Sequence, residues 1–129
     1  DKRMYIGAYV FYPDGYLSLY LKHHLHSGEE KVFKPGYLNP MIYTGSDKAS
    51  IAICADLTNP DHAANAARNK STLYLAGAFI TPEGYSKDSD LLKKYARKYR
   101  MGIALANFGS ESGGTMSAGK SAIWSDAGE

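Results

Sequence analysis

Cys54 closes the apolar run Ser50 to Cys54, and its thiol is the group in this sequence best suited to covalent chemistry. A lone cysteine in such a run is ordinarily a small hydrophobe. Two features of its surroundings point further. The run reads as a buried strand with Cys54 at its C-terminal end, the edge at which α/β sheets bind ligands. A short loop and a well-capped helix follow, and a strand-to-helix turn presents a nucleophile and free backbone N–H groups to a substrate. Thiolate chemistry then needs a base, and a positive group to hold the developing oxyanion. Lys22, at the end of another predicted strand, could be that positive group. Its bland reading is a solvated strand-end lysine.

Two other constellations are weaker. His23, His24 and His26 suggest a metal, but zinc sites want three or four ligands with Cys or carboxylate partners at set spacing. Neighbouring residues of an extended segment point to opposite sides, so only His24 and His26 can converge. Gly114 to Ser121 fits the phosphate-loop pattern G-x-x-x-x-G-K-[ST]. That loop works between a strand and a helix whose N-terminal amides cradle phosphate. Here Ala122 to Ser125 runs at once into the Asp126-Ala127-Gly128 turn, which leaves no room for the helix. We expect no metal, no nucleotide and no cofactor.

The elements that must position these residues are legible in outline. Tyr5 to Tyr12 reads as a strand, Pro13-Asp14-Gly15 as a turn, and Leu17, Leu19 and Leu21 alternate with polar residues at the period of a half-buried strand. Lys22 ends that strand on the face opposite the leucines. Residues 23–49 read as loop. After the Cys54 strand, Thr58 or Asn59 caps a helix with Pro60 at its first position and Asp61 in its first turn, ending near Asn69. Thr72 to Ile80 is a second buried strand, broken by Thr81-Pro82-Glu83-Gly84. Asp90 to Tyr99 is a helix, Ile103 to Asn107 a strand, Phe108 to Gly119 a glycine- and serine-rich loop, and Ser121 to Ser125 a final strand. This alternation is an α/β layer arrangement.

Composition bounds the rest. The 129 residues are 44% hydrophobic and 22% charged, enough chain for one core. Fifteen basic against 13 acidic residues leave a net charge of +2, against both disorder and a dedicated nucleic-acid surface. The longest apolar runs are too short to span a bilayer. A single cysteine cannot form an internal disulfide, and Asp1-Lys2-Arg3 leads into a tyrosine-rich run and not into a leader's apolar stretch. A cytoplasmic setting is therefore expected. The absence of an opening Met and the closing turn at Asp126 to Glu129 suggest that both ends are cut from a longer domain.

Together these segments resemble the carbon–nitrogen hydrolase (nitrilase/amidase) superfamily, in the C-terminal portion of its domain. The resemblance rests on Tyr20-Leu21-Lys22-His23-His24-Leu25, then Gly28-Glu29, then Phe33-Lys34-Pro35-Gly36, then Ile51-Ala52-Ile53-Cys54-Ala55-Asp56-Leu57. Ala106-Asn107-Phe108-Gly109 and the glycine-rich stretch from Gly114 to Ile123 match later parts of the family pattern. The resemblance implies an α/β fold, part of a four-layer αββα sandwich. It implies hydrolysis of non-peptide C–N bonds in a small amide-type molecule, with nitrile or carbamoyl carbons as related targets, through a cysteine thioester.

Carried over residue by residue, Cys54 is the nucleophile, Lys22 stabilises the tetrahedral intermediate, and the Ala55 backbone N–H is a second oxyanion donor. Glu29 matches the glutamate that supports the lysine, with adjacent Glu30 open for the same role. The sequence also departs from the family. Its general base is a glutamate ahead of these strands, and here no acidic residue but Asp1 precedes Asp14. Leu75-Ala76-Gly77-Ala78-Phe79 lacks a proline common there. The reading is thus of a single incomplete domain, residues 1–129, inactive and poorly folded alone, whose parent protein is a homo-oligomer binding neither nucleic acid nor membrane. The competing reading is a non-catalytic α/β fragment or pseudoenzyme that binds a partner or small molecule.

Overall fold

A computed structural model describes residues 2–129; Asp1, the acidic residue noted ahead of Asp14, lies outside them. Strand β1 (Gly7–Phe11) and strand β2 (Leu17–Leu21) pair antiparallel, with Tyr9 opposite Leu19. Gly15 turns the chain at φ +85°, and the Asp14 carboxylate accepts the Tyr16 N–H at 3.0 Å, the side-chain turn chemistry that suits Asp here. The period-two alternation of β2 is present, but its inner face is the opposite one. Leu17 is 46% exposed, while Tyr20 and Lys22 are 0% and 1% exposed. Polar tips with buried partners, and not leucines, decide which face turns inward.

Residues 23–49, expected as loop, contain a 3-10 turn at Glu29–Lys31, strand β3 (Ile42–Thr44) and the start of β4 (Asp47–Ile53). Only Ile42 of β3 is buried, so no apolar alternation marks it. The expected loop after Cys54 is one helical turn, α1 (Ala55–Thr58). Helix α2 (Pro60–Arg68) follows, capped by Asn59, whose Oδ1 accepts the Asp61 N–H at 3.0 Å. Strand β5 (Leu73–Ala78) leads to α3 (Pro82–Tyr99), which starts at Pro82 and not at Asp90. Pro82 begins the helix instead of breaking a strand, because the N–H it lacks has no intrahelical acceptor at that position. Strand β6 (Gly102–Asn107) comes next. The glycine-rich loop then folds into a small hairpin, β7 (Glu111–Ser112) and β8 (Thr115–Met116), before β9 (Ala122–Trp124).

One sheet organises the chain, in the order β3-β4-β5-β6-β9. Its centre is parallel: β4 pairs with β5 and β5 with β6, and α2 and α3 supply the crossovers. β3 and β9 run antiparallel at the edges. Ala52, Tyr74, Ala76, Ile103 and Leu105 face the helices, where Ala63, Ala66, Leu92, Tyr95 and Ala96 close the core. Alanines on both sides let the helices approach the sheet closely. The other face carries Leu75 and Ile123, the latter 81% exposed, so the main hydrophobic cluster lies on the helical side. Among the described residues no helix is long and apolar enough to cross a membrane.

Candidate active site

Register brings the C-terminal ends of β4, β5 and β6 to one edge: Ile53 lies opposite Gly77, and Ala78 opposite Asn107. Cys54 sits on that edge at φ 47° and ψ −105°, a region a side-chain-bearing residue enters at a cost of about 1–3 kcal/mol. Its neighbours hold it there. The Cys54 N–H donates to the Gly77 carbonyl at 2.8 Å, and its carbonyl accepts the Leu57 N–H at 2.9 Å. The preceding Ile53 N–H donates to Asp56 Oδ2 at 3.0 Å. The half-buried thiol thus stands on a strained strand-to-helix elbow. Ala55 begins α1, where a backbone N–H has no acceptor within the helix.

Lys22 is buried, and a buried ammonium needs a partner. Its Nζ donates to Glu29 Oε2 at 2.6 Å, and the same oxygen accepts the His26 N–H at 2.8 Å. Partial burial pushes the Glu29 carboxyl pKa up. The Lys22 and His26 hydrogen bonds and the lysine charge outweigh it, and the pKa lies below the usual carboxylate value. Gly36 makes this packing possible: a Cβ there would lie 2.1 Å from Leu21 Cβ, and its N–H donates to the Lys22 carbonyl at 2.8 Å. The adjacent Glu30 instead accepts the Gly28 N–H at 2.7 Å and serves its own turn.

A cleft of about 400 Å³ is lined by Glu29 and Cys54 together, with His26, Phe79, Thr81, Ser112 and Thr115 around them. A second, of about 270 Å³, also bordered by Cys54, reaches Ala55, Leu57, Ile80 and Asp88. Burial raises the Asp88 carboxyl pKa there, against the lowering pull of Lys87. Glu29, which holds the buried Lys22 ammonium, and Cys54, 25 residues on in the sequence, therefore border one space.

The histidines arrange themselves differently from the expectation. His24 and His26 do not converge: His24 Nδ1 lies 3.1 Å from Asp56 Oδ1, while His26 Nδ1 lies 3.1 Å from the Ser27 carbonyl. His24 gathers instead with His23 and with His62 of α2. Among the described residues no three His, Cys, Asp or Glu side chains are grouped to hold a metal ion. The Gly114–Ser121 stretch passes through β8 and enters β9, and Lys120 lies over the Tyr85 ring at 5.3 Å. Asn107 ties this loop to the sheet edge: its Nδ2 donates to the Gly119 carbonyl at 2.6 Å and its Oδ1 accepts the Ile80 N–H at 2.8 Å. Asp88 and Thr81 at the clefts, and the part played by Asp56, were not singled out from sequence. Asp56 did carry a signal, its place two residues after Cys54.

The model of the family described as carbon-nitrogen hydrolase matches residues 1–129. The chain belongs to the carbon–nitrogen hydrolase family. Solved structures agree. An amidase from Nesterenkonia sp. shares 27% identity at a TM-score of 0.86, over 95% of this chain and 48% of that one. A variant of the amidase, described as showing Michael addition of acrylamide at the active site cysteine, has the same identity and TM-score and is covered over 50% of its length. Nit3 of Saccharomyces cerevisiae, a member of the nitrilase superfamily, has a TM-score of 0.87 at 22% identity, over 98% of this chain and 47% of that one, a likeness of fold. This carbon–nitrogen hydrolase chain thus spans about half the length of the solved relatives it matches. Comparison with curated protein sequences returns no match. The family resemblance carried by the Lys22, Glu29 and Cys54 segments holds, as does the mixed α/β fold read from the alternation of strands and helices.

Proposed function

We propose that the protein hydrolyses non-peptide carbon–nitrogen bonds of small amides, with nitrile and carbamoyl carbons as related targets, and that Cys54 is the nucleophile. The observation that carries this reading is the shared cleft: Cys54 on its strained elbow borders the same space as Glu29, which holds the buried Lys22 ammonium. The similar amidase described with acrylamide joined to its active site cysteine supports it.

In the proposed reaction the Cys54 thiolate adds to the carbonyl carbon, and the C=O electron pair moves to oxygen. Lys22 and the Ala55 N–H stabilise that oxyanion, a role in which one well-placed donor is worth about 10²–10³ in rate. Collapse re-forms the carbonyl and breaks the C–N bond as the base passes the former thiol proton to nitrogen, so that amine or ammonia leaves and a thioester remains on Sγ. Water then adds to the thioester, and the carboxylic acid leaves with return of the thiol. Glu29 keeps Lys22 charged and aimed. The pair is unsuited to take the thiol proton, because Lys22 already carries its proton and Glu29 is held weakly basic by it. In the family that base is a glutamate ahead of these strands. The test uses Cys54→Ala: it should hydrolyse no butyramide while unfolding like the parent, and one equivalent of iodoacetamide should silence the parent. Turnover by Cys54→Ala would refute the reading.

A further inference from the structure

The Asp56 carboxylate is fully buried and joins the two chain segments that carry Lys22 and Cys54. Oδ2 accepts the N–H of Ile53, one residue before the Cys54 elbow, at 3.0 Å. Oδ1 accepts the N–H groups of His23 and His24, directly after Lys22, at 3.2 and 2.8 Å. Behind it stands a chain of buried groups. Tyr20 Oη lies 2.7 Å from Asp56 Oδ2 and 2.8 Å from His62 Nε2, and His62 Nδ1 lies 2.7 Å from Tyr74 Oη.

Donor counting gives this chain one direction. An ionised carboxylate only accepts, so the single Tyr20 proton goes to Asp56. Tyr20 Oη must then accept from His62 Nε2–H. A neutral imidazole with its proton on Nε2 has a bare Nδ1, which accepts the Tyr74 hydroxyl. We infer that Tyr74, His62 and Tyr20 form a one-way hydrogen-bond relay that fixes the Asp56 carboxylate, and that Asp56 is the positioning residue locking the Cys54 elbow against the Lys22 turn. The titratable groups facing His62 are Asp56 from α1, Tyr20 from β2, His23 and His24 after it, and Tyr74 from β5. Their protonation agrees with the relay. Burial lowers the His62 pKa to about 4, against the pull of Asp56. Burial would raise the Asp56 pKa, but its bonds from Tyr20, Ile53 and His24 leave it lowered.

The inference rests on Cys54 and Lys22 forming the reaction centre, but its first test does not. In the intact protein with ¹⁵N-labelled histidine, the His62 ring nitrogens should show the Nε2–H tautomer and no titration between about pH 5 and 8. An Nδ1–H tautomer, or titration within that range, overturns the relay. The second test reads kinetics on butyramide. Tyr20→Phe and His62→Leu should each lower kcat about tenfold or more with KM within about twofold, because an aim made only for the transition state is lost. His62→Gln, which keeps an N–H donor near the Nε2 position, should recover kcat to within about threefold of the parent. Lower melting temperatures with kcat unchanged would mean a purely structural network and overturn the positioning role. Butyramide turnover by Cys54→Ala would sink the reaction-centre reading instead and leave the tautomer result to stand alone.

Discussion

Lys22 Nζ and Glu29 Oε2 lie 2.6 Å apart, and that one oxygen also accepts the His26 N–H, so a single carboxylate atom holds the buried ammonium and the turn beyond it. The lysine is 1% exposed and the glutamate side chain 28%. Such a pair is asymmetric: the ammonium depends on the carboxylate more than the reverse.

Glu29→Gln tests that dependence. The amide oxygen can still accept both hydrogen bonds but no longer offsets the buried charge, and an unmet buried polar group costs about 1–3 kcal/mol, more for a charged one. Urea unfolding at neutral pH should show a loss of at least that order, and amide hydrolysis should fall by about tenfold or more. The Glu29 pKa is lower folded than unfolded, so the pair contributes fully above the unfolded value of 4.5 and is lost as pH falls through the folded one. The parent should therefore lose more stability than Glu29→Gln on acidification through that range.

The strained elbow makes a second, independent prediction. Cys54→Gly should be more stable than Cys54→Ala by about 1 kcal/mol, because glycine adopts φ 47° without its Cβ clash. Both should be inactive. Equal stability would mean that the elbow stores no strain.

How much of this was legible in the residues differs from place to place. Pro60 after Asn59 marked α2, and the spacing of Lys22, Glu29 and Cys54 marked the family, because both are local grammar. Pro82 misled, since a proline that opens a helix and one that ends a strand look alike when seven residues, Glu83 to Ser89, separate it from the next clear helical periodicity. The leucines of β2 misled for another reason: Tyr20 and Lys22 turn inward because Asp56 and Glu29 meet them, and Asp56 is 36 residues from Tyr20. The Asp56 cluster was invisible for the same cause. Tyr20, Asp56, His62 and Tyr74 sit on four separate elements, and only the packing of the β1–β2 hairpin against α1, α2 and β5 brings them together.

Acid should unfold the protein in two stages. His62 titrates at about 4 when folded against 6.5 for the free group, so between these values only the unfolded chain binds that proton. Stability should fall as pH drops through this window, by at most about 1.4 kcal/mol per pH unit and on the order of 3 kcal/mol in all. Below it Asp56 continues the trend, since its folded pKa lies under 3.8 and its contribution is lost as pH falls through that folded value. Urea midpoints between about pH 7 and 4 should show the first stage, and His62→Gln should flatten it. A flat profile in the parent would place His62 in solvent.

The central claim is that Cys54 carries the acyl group. Incubation of the intact protein with butyramide, acid quenching and peptide mass mapping read this directly. The expected result is a butyryl thioester on the peptide containing Cys54, removed by hydroxylamine with formation of butyrohydroxamic acid, and absent from Cys54→Ala. Butyrate formation with the adduct on another residue, or undiminished turnover by Cys54→Ala, would contradict the account.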